Sequence, residues 1–322
     1  MTSSIEKAAQ RLEQLRKAGA VLPGDKPRVQ NPGMPDESQP LNHVPQFAAP
    51  AADGDHAAPE LRAVSKTVQL DLTALSASGF VTPGSPRSVT TDQYRVIKRP
   101  LLENAMGKGA SLVTNGNLIM VTSALPGEGK SFTAINLAMS LAMELDHTVM
   151  LVDADVTRPS VMSKLGLPPA AGLLDMLRGG QTKLADVLLR TNVEGLTLLP
   201  AGLPHDRATE LLASDAMTDL LDEMSKRYSD RIIIFDSPPL LLTTEARVLA
   251  NHMGQVVVVV RAERTLQSEV EHALSTIEAC PIKLLVLNQV RSQGLGAHGY
   301  GYGYGHGGYG RATEERMPAA AA

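Results

Sequence analysis

Leu118-Ile119-Met120-Val121-Thr122-Ser123-Ala124-Leu125-Pro126-Gly127-Glu128-Gly129-Lys130-Ser131 is the stretch whose reading decides the fold. An apolar run ends in a glycine turn, and the turn opens onto a helical period over residues 131–145. Strand, glycine loop and helix in that order make a phosphate-binding loop. Glycines let the backbone curl until successive N–H groups face phosphate oxygens, and the helix N-terminus adds partial positive charge. Gly127, Glu128, Gly129, Lys130, Ser131 and Phe132 are therefore the expected nucleotide contacts. Lys130 would reach the outer phosphates, and the Ser131 hydroxyl would join a magnesium ion that arrives with a triphosphate. Ala124 stands where the GxxxxGK[ST] pattern has its first glycine.

Further apolar runs lie at Val149 to Val152, Leu196 to Leu199, Ile232 to Phe235, Val256 to Val260 and Ile282 to Leu287. Most are separated by helical stretches such as Ser131 to Leu145 and Ser268 to Glu278, and a helix is expected at Thr91 to Leu102. Continuous apolar strands alternating with helices predict an α/β domain, a parallel sheet covered by helices on both faces. Ligands in that class sit at the carboxyl ends of the strands. Two runs end there in acid: Asp153-Ala154-Asp155 after one, and Asp236-Ser237-Pro238-Pro239 after another. Each aspartate alone could be a turn former. Together with the phosphate loop they predict one shared nucleotide site, because a strand-end aspartate beside such a loop holds or orients magnesium directly or through water.

The rest of the chain sets boundaries. Of 322 residues 43% are apolar and 20% charged, enough for a sizeable core. A net charge of -4 gives no positive field for a nucleic-acid backbone. One cysteine, Cys280, forms no internal disulfide, and the eight histidines show no metal-ligand spacing. The charged start and the lack of any 18-residue apolar run predict a cytoplasmic chain that does not itself cross a membrane. Ile5, Ala8, Ala9, Leu12 and Leu15 give an amphipathic helix within residues 1–20. Residues 21–87 read as a mostly disordered linker, because 21–59 holds eight of the 21 prolines and few large apolar groups, followed by a weaker ordered stretch at 61–86 whose Gly and Pro punctuation in GFVTPGSPRS argues for turns. The globular domain is expected at 88–293, and 294–322 as a flexible tail. That tail carries nine glycines between 294 and 310, and four of the six tyrosines: Tyr300, Tyr302, Tyr304 and Tyr309.

PGEGKS at the loop, DADVTRPS at the second aspartate motif, DSPP at the third and the tyrosine-rich end together resemble the bacterial tyrosine kinases of exopolysaccharide and capsule loci. The start SIEKAAQRLEQLRKAG and GFVTPGSPRS resemble the autokinases of PEP-CTERM and exopolysaccharide operons. The resemblance implies a P-loop fold of the MinD/ParA type and an ATP- and magnesium-dependent autokinase. It implies Lys130, Asp153, Asp155 and Asp236 as catalytic residues, with Asp155 and Asp236 beside Ser131 in the magnesium shell, the base assigned to Asp153, adenine contact at Asn288, and the tail tyrosines as phosphoacceptors. Thr157 departs from the family's arginine after DxDx, with Arg158 one place later. Asp92, Arg95 and Lys98 stand where the family has ExxRxxR, which joins subunits into a ring so that one tail enters a neighbour's site. Three charges so spaced also suit an exposed helix face with local ion pairs. The implied partners are further copies of the chain, a separate membrane-spanning chain-length determinant that recruits and activates it at the inner face of the membrane, and a tyrosine phosphatase. Two alternatives remain open at this point: a MinD/ParA-like ATPase switch, though Leu125 replaces the extra lysine of that class, and a nucleotide-gated adaptor without kinase activity.

Overall fold

A computed structural model describes residues 66–109, 112–179, 182–228 and 230–291. The N-terminal helix and the tyrosine tail lie outside the described residues. The chain order is β1 (Lys66–Val68), α1 (Leu72–Ala77), α2 (Val89–Ala105), β2 (Leu118–Ser123), α3 (Lys130–Ala142) and β3 (Thr148–Asp153). Next come the short helices α4 (Val161–Lys164), α5 (Leu173–Leu177) and α6 (Leu184–Val187), then β4 (Leu189–Thr191) and β5 (Leu196–Leu199). The last elements are α7 (Ala208–Leu212), α8 (Asp215–Arg227), β6 (Arg231–Asp236), α9 (Thr244–Ala250), β7 (Gln255–Arg261), α10 (Gln267–Ser275) and β8 (Ile282–Asn288).

Eight strands form one sheet in the order β1-β4-β5-β3-β6-β2-β7-β8. Every adjacent pair is parallel except β4 with β5. Five of the apolar runs expected as strands are the central strands β2, β3, β5, β6 and β7, apolar on both faces because both faces are covered, while the run at Ile282 to Leu287 is the partly exposed edge strand β8. Leu118, Met120, Phe235, Val256 and Val258 face one core, while Ile119, Val121, Ile234, Val257 and Val259 face the other. Antiparallel β4 was not foreseen; three residues, two of them polar, give no apolar run to detect. Among the described residues no helix is long and apolar enough to cross a membrane.

The domain starts earlier than residue 88. Strand β1 pairs with β4, and Leu70, Leu75 and Val81 are buried in the core that surrounds α3. The Val81 N–H donates to Asn136 Oδ1 of α3 at 2.6 Å. Helix α3 is buried nearly all round, so the sheet can cover one side only, and helix α2 together with the segment 66–87 packs on the others. The linker expected over 21–87 is thus corrected at its C-terminal part. Its Gly and Pro punctuation does mark turns, but these turns are packed.

The trio Asp92, Arg95 and Lys98 on α2 is also divided by the fold. Asp92 and Arg95 are exposed and pair with each other at 3.3 Å, and Arg87 joins Asp92 at 2.9 Å. Lys98 is only 4% exposed and turns inward, donating to Ser140 O at 2.5 Å and pairing with Glu144 at 2.7 Å. As an interface residue Lys98 is corrected: its ammonium joins α2 to α3 within one chain.

Candidate active site

At the carboxyl edge β2 lies between β6 and β7, and its last residue runs straight into the phosphate loop. Gly127 and Gly129 have φ of 81° and 98°, in the left-handed region that suits glycine. A β-carbon on Gly129 would lie 2.1 Å from Asn288 Nδ2, so this glycine also admits the β8 end against the loop. Ala124 has no positive φ, which is why alanine serves in place of the pattern's first glycine. Helix α3 begins at Lys130 with Gly129 as its cap and no side chain on its free N–H groups. Those donors face the anion site.

Lys130 Nζ donates to Asp155 Oδ2 at 2.5 Å, and Thr157 Oγ1 and the Arg158 N–H donate to the same carboxylate's Oδ1 at 3.0 and 3.2 Å. Thr157, the departure from the family pattern, orients Asp155. Arg158 and Lys164 were not singled out by the sequence, and both line a cavity of about 580 Å³ with Gly127, Gly129, Lys130, Ser131, Phe132 and Asp155. Their signal was available, since cations just after an acidic strand end lie over a phosphate site. Phe132 packs on Phe80 of the N-terminal segment, the rings tilted by 39° with centroids 5.0 Å apart.

Asp153 and Asp236 are neighbours across β3 and β6, both fully buried. Asp153 Oδ2 accepts from the Ser160 and Val161 N–H groups at 3.1 and 3.0 Å. Its Oδ1 and both Asp236 oxygens have no hydrogen-bond partner. Burial, reinforced by the charge of Asp236, pushes the Asp153 carboxyl up to about 7. Burial likewise pushes Asp236 up to about 6, against the pull of Lys130. Asp155 lines the cavity and Asp153 does not, so the base assigned to Asp153 has no open path to an acceptor. The reason is that Asp153 is the last residue of β3 and its carboxylate is taken by the 160–161 turn, whereas Asp155 lies beyond the strand end.

The donor set suits magnesium. Ser131 and Asp236 supply hard oxygen, the orphaned Asp236 oxygens sit in protein where an uncompensated carboxylate is costly, and magnesium characteristically takes one or two carboxylates plus phosphate oxygens. Among the described residues no three His, Cys, Asp or Glu side chains form a ready-made metal cage. Two expected contacts have other duties. Asn288 Nδ2 donates to Glu128 O at 2.9 Å and so braces the loop. The Glu128 side chain is turned away from the cavity, into the protein.

Fold and site define a P-loop nucleoside-triphosphate-binding protein. A family model described as an AAA domain matches residues 116–285. Tyrosine-protein kinase YwqD of Bacillus subtilis is 32% identical over 200 residues, covering 62% of this chain and 80% of YwqD. Tyrosine-protein kinase ptk of Acinetobacter johnsonii is 34% identical over 182 residues, covering 56% of this chain but 24% of ptk. The crystal structure of the chimerical protein CapA2B2 superposes with a TM-score of 0.56 at 29% identity, covering 70% of this chain and 93% of that one. The chain belongs to the AAA-domain family and, within it, to the bacterial tyrosine-protein kinases.

Proposed function

We propose that the chain transfers the γ-phosphoryl group of ATP to tyrosines of its own C-terminal cluster, Tyr300, Tyr302, Tyr304 and Tyr309, in trans within a ring-type oligomer. The observation that carries this is the cavity wall itself, where Lys130, Ser131 and Asp155 converge beside the buried Asp236. Loop amides and the α3 N-terminus hold the phosphates, and Lys130 shifts from Asp155 toward them. Ser131 and Asp236, with Asp155 at the rim, would hold magnesium, which when bound screens the phosphate charge. Arg158 and Lys164 balance charge on the transferring group from the opposite wall. In a loose transition state such positioning does most of the work. The phenol oxygen forms the new bond to phosphorus as the β–γ bridging bond breaks to ADP, and the phenol proton passes to Asp155, the carboxylate in reach. A phenol titrates near 10 and a carboxylate near 4, so that transfer comes late.

By the family resemblance the activity regulates exopolysaccharide synthesis or export. A membrane-spanning chain-length determinant recruits and activates the chain at the inner face of the membrane, and a tyrosine phosphatase resets it. A mixing experiment tests the trans step. Lys130→Met protein with an intact tail is incubated with MgATP and a donor whose four tail tyrosines are phenylalanine. Phosphate appearing on the Lys130→Met chain supports transfer in trans; phosphate on the wild type alone, never on the mixed acceptor, contradicts it. ADP production without phosphotyrosine in any sample would favour the ATPase switch.

A further inference from the structure

Glu128 places a negative side chain inside a loop whose task is to hold anions, which is unfavourable unless the charge is directed elsewhere. The structure directs it. The carboxylate is 2% exposed and accepts three hydrogen bonds. The Leu125 N–H donates to Oε2 at 2.7 Å, the Arg261 N–H donates to Oε1 at 3.2 Å, and the Thr265 hydroxyl donates to Oε1. The first bond closes the phosphate loop on itself. The other two tie it to the turn between β7 and α10. Two side-chain amides at the end of β8 add to the brace, since Asn288 Nδ2 donates to Glu128 O and Gln289 Nε2 to Gly127 O at 3.2 Å.

We infer that Thr265 is a positioning residue for nucleotide binding: with Glu128 it latches the phosphate loop to the 261–266 turn, so that the loop is ordered before phosphate arrives. The inference rests on the nucleotide site proposed above and adds to it a residue outside every loop motif. No cation satisfies Glu128 among the described residues, so its charge depends on these three donors, and charge-assisted bonds of this kind are strong and directional. Without the hydroxyl the carboxylate is drawn toward solvent or toward the loop N–H groups that phosphate needs, and either movement disturbs the loop. Binding then has to order it afresh. The latch also runs the other way. Nucleotide on the loop steadies the turn, which carries Arg261 and Arg264 beside Arg291, the last described residue.

The test uses the full chain with ADP and magnesium as probe, so that it does not depend on kinase activity. Thr265→Val replaces the hydroxyl by a methyl of equal size, and Thr265→Ser keeps the donor. We expect the ADP dissociation constant to rise about tenfold in Thr265→Val, and to return to within about twofold of wild type in Thr265→Ser. ADP should also slow hydrogen exchange at the Arg261 amide in wild type and Thr265→Ser but not in Thr265→Val. A Thr265→Val protein that melts lower yet binds ADP as wild type does would make Thr265 merely structural and overturn the inference. So would loss of affinity in Thr265→Ser as large as in Thr265→Val. Failure of the wild type to bind ADP at all would overturn the nucleotide site itself, a distinct outcome.

Discussion

Asp153 shows how a residue named by a motif acquires its role only from its surroundings. Its pattern marked it as one of a catalytic group, but full burial and two backbone donors make it the support of the 160–161 turn and the electrostatic neighbour of Asp236. Folding raises both carboxyls above their ordinary value near 4, to about 7 and about 6. Between those limits the native chain holds protons that the unfolded chain has released. The two carboxyls therefore favour the fold at low pH, and that contribution drains as pH rises toward 7. Asp153→Asn keeps an acceptor for Ser160 and Val161 without the charge. In metal-free, nucleotide-free protein it should be more stable than wild type at pH 7.5, by at most about 4 kcal/mol, with the advantage narrowing steadily toward pH 5. Denaturant titrations at three pH values check this, and a difference independent of pH would contradict it. Lys130, Ser131, Asp155 and Asp236 were legible because their chemistry is fixed by position after a strand. The duties of Glu128, Thr157 and Thr265 were not, since each rests on a partner 2 to 137 residues away that only the fold brings near.

At the scale of elements, the central strands were readable because each is apolar on both faces, and their expected ends lie within a residue or two of those observed. The segment 66–87 was legible only as a weakly ordered stretch with turns, because its apolar residues are sparse and become a core only against α3 and its neighbours. Leu75→Ala should destabilise the domain by about 2–4 kcal/mol, as thermal and denaturant melts would show; an effect below about 0.5 kcal/mol would mean that this segment is loosely attached. Helix α2 offers a paired comparison. Lys98→Met removes the buried ammonium that serves Ser140 O and Glu144, whose carboxyl that same bond holds below its usual range. A loss of about 2–3 kcal/mol is expected. Arg95→Ala breaks only an exposed pair and should cost less than about 0.5 kcal/mol. If an assembly interface lies on this helix, Arg95→Ala should reduce oligomer mass by light scattering while leaving the monomer fold intact. Equal stability losses for the two variants would show that Lys98 is not the internal tie described here.

For the whole molecule, the sequence patterns reached the fold class because strand, loop and acid recur in one order along one sheet edge. They reached the family through the loop and aspartate motifs, which lie within residues that the family model covers, and through the tyrosine cluster, which lies beyond them. What one chain cannot display is the meeting of a tail with another chain's site. The tyrosine cluster nonetheless frames the expectation: glycine on either side leaves each phenol unobstructed, and each phosphate adds about 1.5 to 2 negative charges. Accumulated charge should loosen a tail-linked assembly, so phosphorylated protein should scatter as a smaller particle than phosphate-free protein. The most direct test of the central claim is intact-mass measurement and tyrosine-site mapping of purified wild-type and Lys130→Met protein after incubation with MgATP. The account predicts wild-type mass rising by whole phosphates carried on Tyr300, Tyr302, Tyr304 or Tyr309, with Lys130→Met unchanged. ADP accumulating while every tyrosine stays unmodified, even with a membrane activator fragment present, would contradict it.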